Sequence, residues 1–164
     1  MAPGATGPGE TRVRVAAVHD APDVGHLLRD FNEEFDAPGP TAAELTTRFA
    51  SLLALPDVLV VLAEAAGHPD GVGFALLTLR PTPYYDGPLA QLEELYVRPA
   101  LRDQGIGTLV LREALRLVAE RGAGEVLINV DEVDVDTRRF YERHGFTDVE
   151  PGTDSRMLCY LRVL

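Results

Sequence analysis

The sequence predicts a mixed α/β domain of the α+β kind, with the element order β-α-α-β-β-β-α-β-α-β. Three observations carry this. Apolar residues make up 46% of a 164-residue chain, enough for one domain with a packed core. Their spacing switches along the chain between the alternation of a half-buried strand and the three-to-four spacing of an amphipathic helix. A strand-helix-strand unit near residues 89–130 implies a locally parallel pair, because a helical crossover returns the chain in the same direction.

Each element has its own signal. Met1–Glu10 is rich in Gly, Pro and Ala and is expected to be a disordered tail, leaving 11–164 as a single domain. Arg12–Val18 alternates like a strand. Asp20–Phe35 carries Val24, Leu27, Leu28, Phe31 and Phe35 at helical spacing, with Asp20 or Asp23 to cap it. Pro38-Gly39-Pro40 breaks that helix, and Thr41 with Glu44 forms a capping-box pattern for a second helix to about Leu53. Val58–Glu64 and Val72–Leu79 flank a His68–Gly71 turn and read as a hairpin. Pro81–Pro88 is a loop, and Leu89–Val97 a third strand stopped by Pro99. Gly107–Arg121 is an amphipathic helix ended by Gly122 and Gly124. Glu125–Val130 is a strand. Asp134 or Asp136 caps a helix to His144 with Gly145 as its stop. Met157–Leu164 is expected as the final strand, which would place Cys159 in the core.

Composition excludes several functions. The net charge of −11 argues against nucleic acid, whose binding rests on cationic phosphate contacts. It suits either a cationic small-molecule partner or simple solubility. No apolar run approaches the roughly 20 residues of a membrane span, so no membrane partner is expected. The start does not resemble a signal peptide, and the single cysteine fits a reducing, cytoplasmic setting. The four histidines show no metal-ligand spacing, so no metal is expected.

The sharpest chemical feature is the turn Val97–Gly107. A strand ends, and Arg102-Asp103-Gln104-Gly105-Ile106-Gly107 opens a helix at two glycines. Free backbone N–H groups and the positive end of the helix dipole suit a pyrophosphate or another anion. A tight turn that merely needs glycine would look the same. No Lys-Ser/Thr pair follows, which excludes an ATP-type phosphate loop, and Val110 stands where a dinucleotide fingerprint needs its third glycine.

These residues, with Leu95–Pro99 before them and Arg138–Phe146 after them, resemble the GNAT superfamily of N-acetyltransferases. Arg102–Gly107 fits its Gln/Arg-x-x-Gly-x-Gly/Ala pattern in full. The resemblance implies a centrally splayed mixed sheet flanked by helices, acetyl-CoA as cosubstrate, and direct transfer to a primary amine of a small acceptor. It also suggests a homodimer. It assigns the cofactor to the segment from Arg102 and Asp103 through Gln104, Gly105, Ile106, Gly107 and Thr108, whose N–H groups from Gln104 onward would hold the pyrophosphate. Leu95 and Val97 would pair with the cofactor's pantetheine arm, and the Val97 N–H would stabilise the oxyanion. Asp134 stands where the family commonly has Asn, and a carboxylate accepts but does not donate. Tyr141 matches the usual general acid.

Glu93 and Glu94 are the candidate bases. Alternation puts them on opposite faces of the strand, and carboxylates are unexpected in a central strand. Leu92–Val97 looks similar to the matching strand of spermidine/spermine acetyltransferases, which favours Glu93; Glu94 or a water relay are the alternatives. On the acceptor side, Phe31–Asp36 and Tyr84-Tyr85-Asp86 offer carboxylates and aromatics for a cationic amine, or are ordinary surface. A non-catalytic acyl-CoA-binding domain and a protein or peptide acetyltransferase are the competing readings.

Overall fold

The structure, a computed structural model, describes residues 6–7 and 10–164. Its elements are β1 (Thr6–Gly7), β2 (Thr11–Val15), α1 (Ala21–Glu34), α2 (Ala42–Leu52), β3 (Val58–Ala65), β4 (Gly73–Arg80), β5 (Leu89–Val97), α3 (Ile106–Glu120), β6 (Glu125–Ile128) and α4 (Val135–Arg143). The sheet runs β1-β2-β3-β4-β5-β6. Strands β1 to β5 pair antiparallel with their neighbours, and β6 follows β5 after the α3 crossover. Most of the tail expected over residues 1–10 lies outside the described residues; Thr6 and Gly7 pair with Arg12 and Thr11. The chain divides into two units, Met1–Leu127 and Ile128–Leu164.

In the first unit, β3 is buried on both faces, as its unbroken apolar run requires. Val60, Leu62, Phe74 and Tyr96 face α1 and α2, packing on Val24, Leu27, Leu45 and Phe49. Leu59, Val61, Ala75 and Leu77 alternate with them and are also buried; α3 packs across β2 to β5, with Val110, Leu111, Ala114 and Val118 buried. Helices α1 and α2 approach closely because Gly25 has no side chain: an added Cβ would lie 2.8 Å from the Thr46 nitrogen. The capping box of α2 forms as expected, with Glu44 accepting from the Thr41 N–H at 2.8 Å and the Thr41 hydroxyl accepting from the Glu44 N–H. Asp20 does not cap α1 with its side chain. Its buried carboxylate instead accepts from Arg14 and from the Ala17 N–H, and Arg14 also holds Glu64 of β3. Those donors hold Asp20 down at a pKa of about 2.

In the second unit, α4 starts at Asp134, whose carboxylate accepts from the Thr137 N–H at 3.2 Å. Gly145, at φ 87°, lies just past its end. The strand expected over Met157–Leu164 does not form. One bridge joins Val149 to Arg156, and the Met157 N–H bonds the Asp148 carbonyl at 2.7 Å. Continued in that register, the chain would meet Gly145 and Phe146, whose N–H groups are already bonded to the α4 carbonyls of Glu142 and Tyr141. The hairpin runs out of partners, and Leu158, Tyr160, Leu161 and Val163 stand exposed. Cys159, expected in the core, is exposed with them.

Candidate active site

Strand β5 carries the acidic pair, and its pairing with β4 is broken there. Leu95 faces Ala75 and Glu94 faces Leu76, but Leu77 faces Leu92. Glu93 is therefore the extra residue of a β-bulge. The bulge undoes the alternation that would separate Glu93 from Glu94. Phe74, Leu76 and Thr78 share one face of β4. Glu94 sits opposite Leu76 on that face, and the Glu93 carboxylate accepts from the Thr78 hydroxyl at 2.5 Å. Both carboxylates thus lie on the face that α1 and α2 cover, correcting the expectation of opposite faces. Glu93 is exposed and Glu94 half-buried. Burial first, and the neighbouring charge of Glu93 second, raise the Glu94 pKa above the usual carboxylate range.

Beyond the bulge, the end of β5 turns its peptide groups outward. The Arg98 N–H bonds the Val72 carbonyl at 2.9 Å while Gly73 pairs with Val97. Gly73 and Val97 are therefore a non-hydrogen-bonded pair, and the Val97 N–H and C=O point away from β4. Leu95, two residues back in unbroken register, does the same. Tyr96, between them, packs on Phe31 of α1 with ring centroids 5.2 Å apart.

The turn then reaches α3. Asp103 has φ 60° and Gly105 φ 81°, a left-handed conformation that glycine adopts without strain. Nothing lies within 4 Å of where a Gly105 Cβ would be, so the turn opens to solvent. No side chain caps the helix. The first intrahelical bond is from the Leu109 N–H to the Gly105 carbonyl at 3.0 Å, which leaves the N–H groups of Ile106, Gly107 and Thr108 without helical acceptors. Exposed Arg102, Asp103 and Gln104 precede them. An uncapped, unobstructed helix start at the end of an outward-facing strand fits the pyrophosphate and the arm of acetyl-CoA.

Arg98 and Arg102 do not face that opening alone. Arg98 donates to Asp30 at 2.8 Å and to the Gly71 carbonyl at 3.1 Å. Arg102 donates to both oxygens of Glu34, at 2.6 and 2.7 Å, and to the Val97 carbonyl at 2.9 Å. Neither these pairs nor Thr78 and Tyr96 stood out in the sequence. The spacing of four shared by Asp30/Glu34 and Arg98/Arg102 is visible there, but nothing in a sequence says that the two sets meet.

Glu93, Glu94, Leu95, Val97 and Arg102–Thr108 are thus brought into one run along β5 and into α3, within the first unit. Asp134 and Tyr141 belong to the second. Tyr141 is 6% exposed, edge-on to Phe140 and Phe146 at 5.2 and 5.4 Å. Of the other candidates, Tyr84 is exposed, and the Pro81–Pro88 loop bounds a cavity of about 330 Å³ with Arg80, Leu89 and Glu125, at the start of β5 instead of its end.

The acetyltransferase (GNAT) family model matches residues 24–146. The chain belongs to the GNAT family. Acetyl-CoA is accordingly its cosubstrate, and it is an acyltransferase. Among curated proteins it is similar to the aminoglycoside N(6')-acetyltransferase type 1 of Klebsiella aerogenes, at 29% identity over 116 residues, 68% of this chain and 76% of that protein. Among solved structures it is similar to a candidate acetyltransferase of Arthrobacter sp. FB24, at 47% identity and a TM-score of 0.84, covering 93% of this chain and 95% of that one. An aminoglycoside acetyltransferase from an uncultured soil metagenomic sample, solved in complex with sisomicin, shares the GNAT fold at 22% identity and a TM-score of 0.75, covering 94% and 96%. No helix among the described residues is long and apolar enough to cross a membrane.

Proposed function

We propose that this GNAT protein transfers acetyl from acetyl-CoA directly to a primary amine of a small cationic acceptor, with aminoglycosides the first class to test. The observation that carries the reading is the bulge in β5, which sets two carboxylates side by side and half-buries one of them. A pair of like charges facing one side of a sheet attracts a polycationic amine. A carboxyl whose pKa is raised is a better proton acceptor than an ordinary one. The names of the relatives supply the acceptor class.

In this reading the N–H groups from Gln104 to Thr108 hold the pyrophosphate, and the outward peptide groups of Leu95 and Val97 align the cofactor arm. Acetyl-CoA supplies the thioester acetyl group. An acceptor amine is protonated at neutral pH and must lose a proton before its nitrogen can bond the acetyl carbon. Glu94 takes that proton, directly or through a water, and Glu93 holds the ammonium in place. The Val97 N–H donates to the acetyl oxygen, where negative charge grows as the carbon–nitrogen bond forms. The carbon–sulfur bond then breaks; the nitrogen gives up the extra proton it carries once the carbon–nitrogen bond has formed, and the departing thiolate takes up one proton, so the count balances. The acid role of Tyr141 rests on family resemblance, and so does any cofactor contact by Asp134. Replacement of Tyr141 by Phe should lower kcat and leave acetyl-CoA affinity in place; an unchanged kcat removes the role. A homodimer and a cytoplasmic location stay within the proposal.

The test is thiol release from acetyl-CoA with sisomicin, spermidine and a free peptide as acceptors. Release with sisomicin or spermidine, and acetylated product by mass spectrometry, is the expected result. Release with the peptide alone would make this a protein acetyltransferase. CoA binding without release on any amine would make it a non-catalytic domain.

A further inference from the structure

We infer that Arg102 is a positioning residue: with Arg98 it ties the C-terminal turn of α1 to the end of β5, and its side chain serves the acceptor face instead of the cofactor phosphates. The inference rests on the proposed placement of the acceptor on the α1 side of β5.

The geometry is a double tie. Asp30 and Glu34 lie four residues apart and so share one stripe of α1. Arg98 and Arg102 lie four apart across the short 3-10 turn Pro99–Leu101. Each arginine grips one carboxylate and also one backbone carbonyl: Arg98 takes Asp30 and Gly71, Arg102 takes Glu34 and Val97. The Arg102–Glu34 contact is bidentate, so the edge of the guanidinium that would clasp a phosphate is already occupied. The guanidinium carbon also sits 5.6 Å from the centroid of the Tyr96 ring. Tyr96 is stacked in turn on Phe31 of α1, whose ring meets Phe35 just past the end of the helix.

Two consequences follow for the reaction. The end of α1, the Tyr96 ring and the Val97 peptide group form one braced unit beside Glu94. Loosening the tie therefore shifts the wall that an acceptor meets, while the N–H groups at the start of α3 stay where they are. The tie also sorts the acidic groups of α1. Asp30 and Glu34 are neutralised by Arg98 and Arg102, and Glu33 by Arg29 at 2.7 Å. Glu93 and Glu94, which have no ion pair among the described residues, are left on the face of β5 to recognise an ammonium.

Isothermal titration with CoA and steady-state kinetics on the best amine of the panel test this in Arg102→Gln, Glu34→Gln, Arg102→Lys and the charge-reversed pair Glu34→Arg/Arg102→Glu. Glu34→Gln should raise acceptor KM about tenfold, with kcat and CoA affinity within about twofold of wild type, because Arg102 keeps its bond to the Val97 carbonyl; Arg102→Gln should raise acceptor KM as much and lower kcat as well, with CoA affinity again within about twofold. Arg102→Lys keeps the charge but loses the fork, and should show the same shift at smaller size. The reversed pair should recover most of the acceptor KM, because coupled residues restore each other and independent ones do not. The inference is overturned if Arg102→Gln loses CoA affinity about tenfold while Glu34→Gln does not, since Arg102 would then be a phosphate ligand. It is also overturned if no variant moves acceptor KM. Should the wild-type protein release no thiol with any amine, the functional proposal fails by itself. The CoA titration would still decide here: equal affinity in wild type and Arg102→Gln supports the tie, and a loss confined to Arg102→Gln contradicts it.

Discussion

Strands β3 and β5 are nearly equal in length, and both lie inside the sheet with a neighbour on each side, yet they treat their carboxylates in opposite ways. In β3 the run Val58–Ala63 is apolar and its pairing with β4 is regular. Its glutamate, Glu64, stands near the strand end and is held by Arg14 at 2.6 Å. In β5 two glutamates stand mid-strand at a bulge, with a hydroxyl for Glu93 and no cation for either among the described residues. A buried carboxylate without a positive partner costs stability. A sheet built only for stability would have placed apolar residues there, as β3 does. The difference is that β5 gives up stability where β3 does not, as the proposed role of Glu94 as a base would require.

That comparison can be broken in three places. The largest effect is expected at Glu94. Its pKa is raised in the folded protein, so its contribution favours folding at acidic pH and turns against it as pH rises through the folded value. Replacement of Glu94 by Gln should lower kcat by about 100-fold or more, while raising the melting temperature at pH 8 and leaving it little changed at pH 4. A protein that loses both turnover and stability would show Glu94 to be structural. Next comes Leu62 in β3, which is fully buried. Truncation to Ala should cost about 3 kcal/mol in urea unfolding, with kcat per folded molecule unchanged. The smallest is Asp20, the partner of Arg14. Its pKa falls from 3.8 to about 2 on folding, so its stabilisation is complete above the unfolded value and fades as pH drops toward 2. Asp20→Asn should cost about 2 kcal/mol at pH 7, and the gap to wild type should close in acid, as followed by urea unfolding at several pH values.

What the sequence made legible was local. The capping box at Thr41, the start of α3 at the glycines, the stop at Gly145 and the limits of β5 are each written within a few residues of where they act. What stayed hidden depends on partners distant in the chain. The bulge exists only in the register between β4 and β5, so alternation alone put Glu93 and Glu94 on opposite faces. The salt-bridged arginines needed α1 to lie beside the turn. The apolar run Met157–Leu164 is strand-like, but a strand also needs an edge to pair with. Beyond Met157 its own hairpin offers only the closed end of α4.

The most direct test of the claim that β5 is bulged to carry a general base is the pH dependence of kcat/KM for thiol release in wild type, Glu93→Gln and Glu94→Gln. The account predicts that the rate rises through an apparent pKa above the ordinary carboxylate range in wild type and in Glu93→Gln, and that this limb disappears in Glu94→Gln. A limb that survives in Glu94→Gln, or that is lost in Glu93→Gln instead, would contradict it.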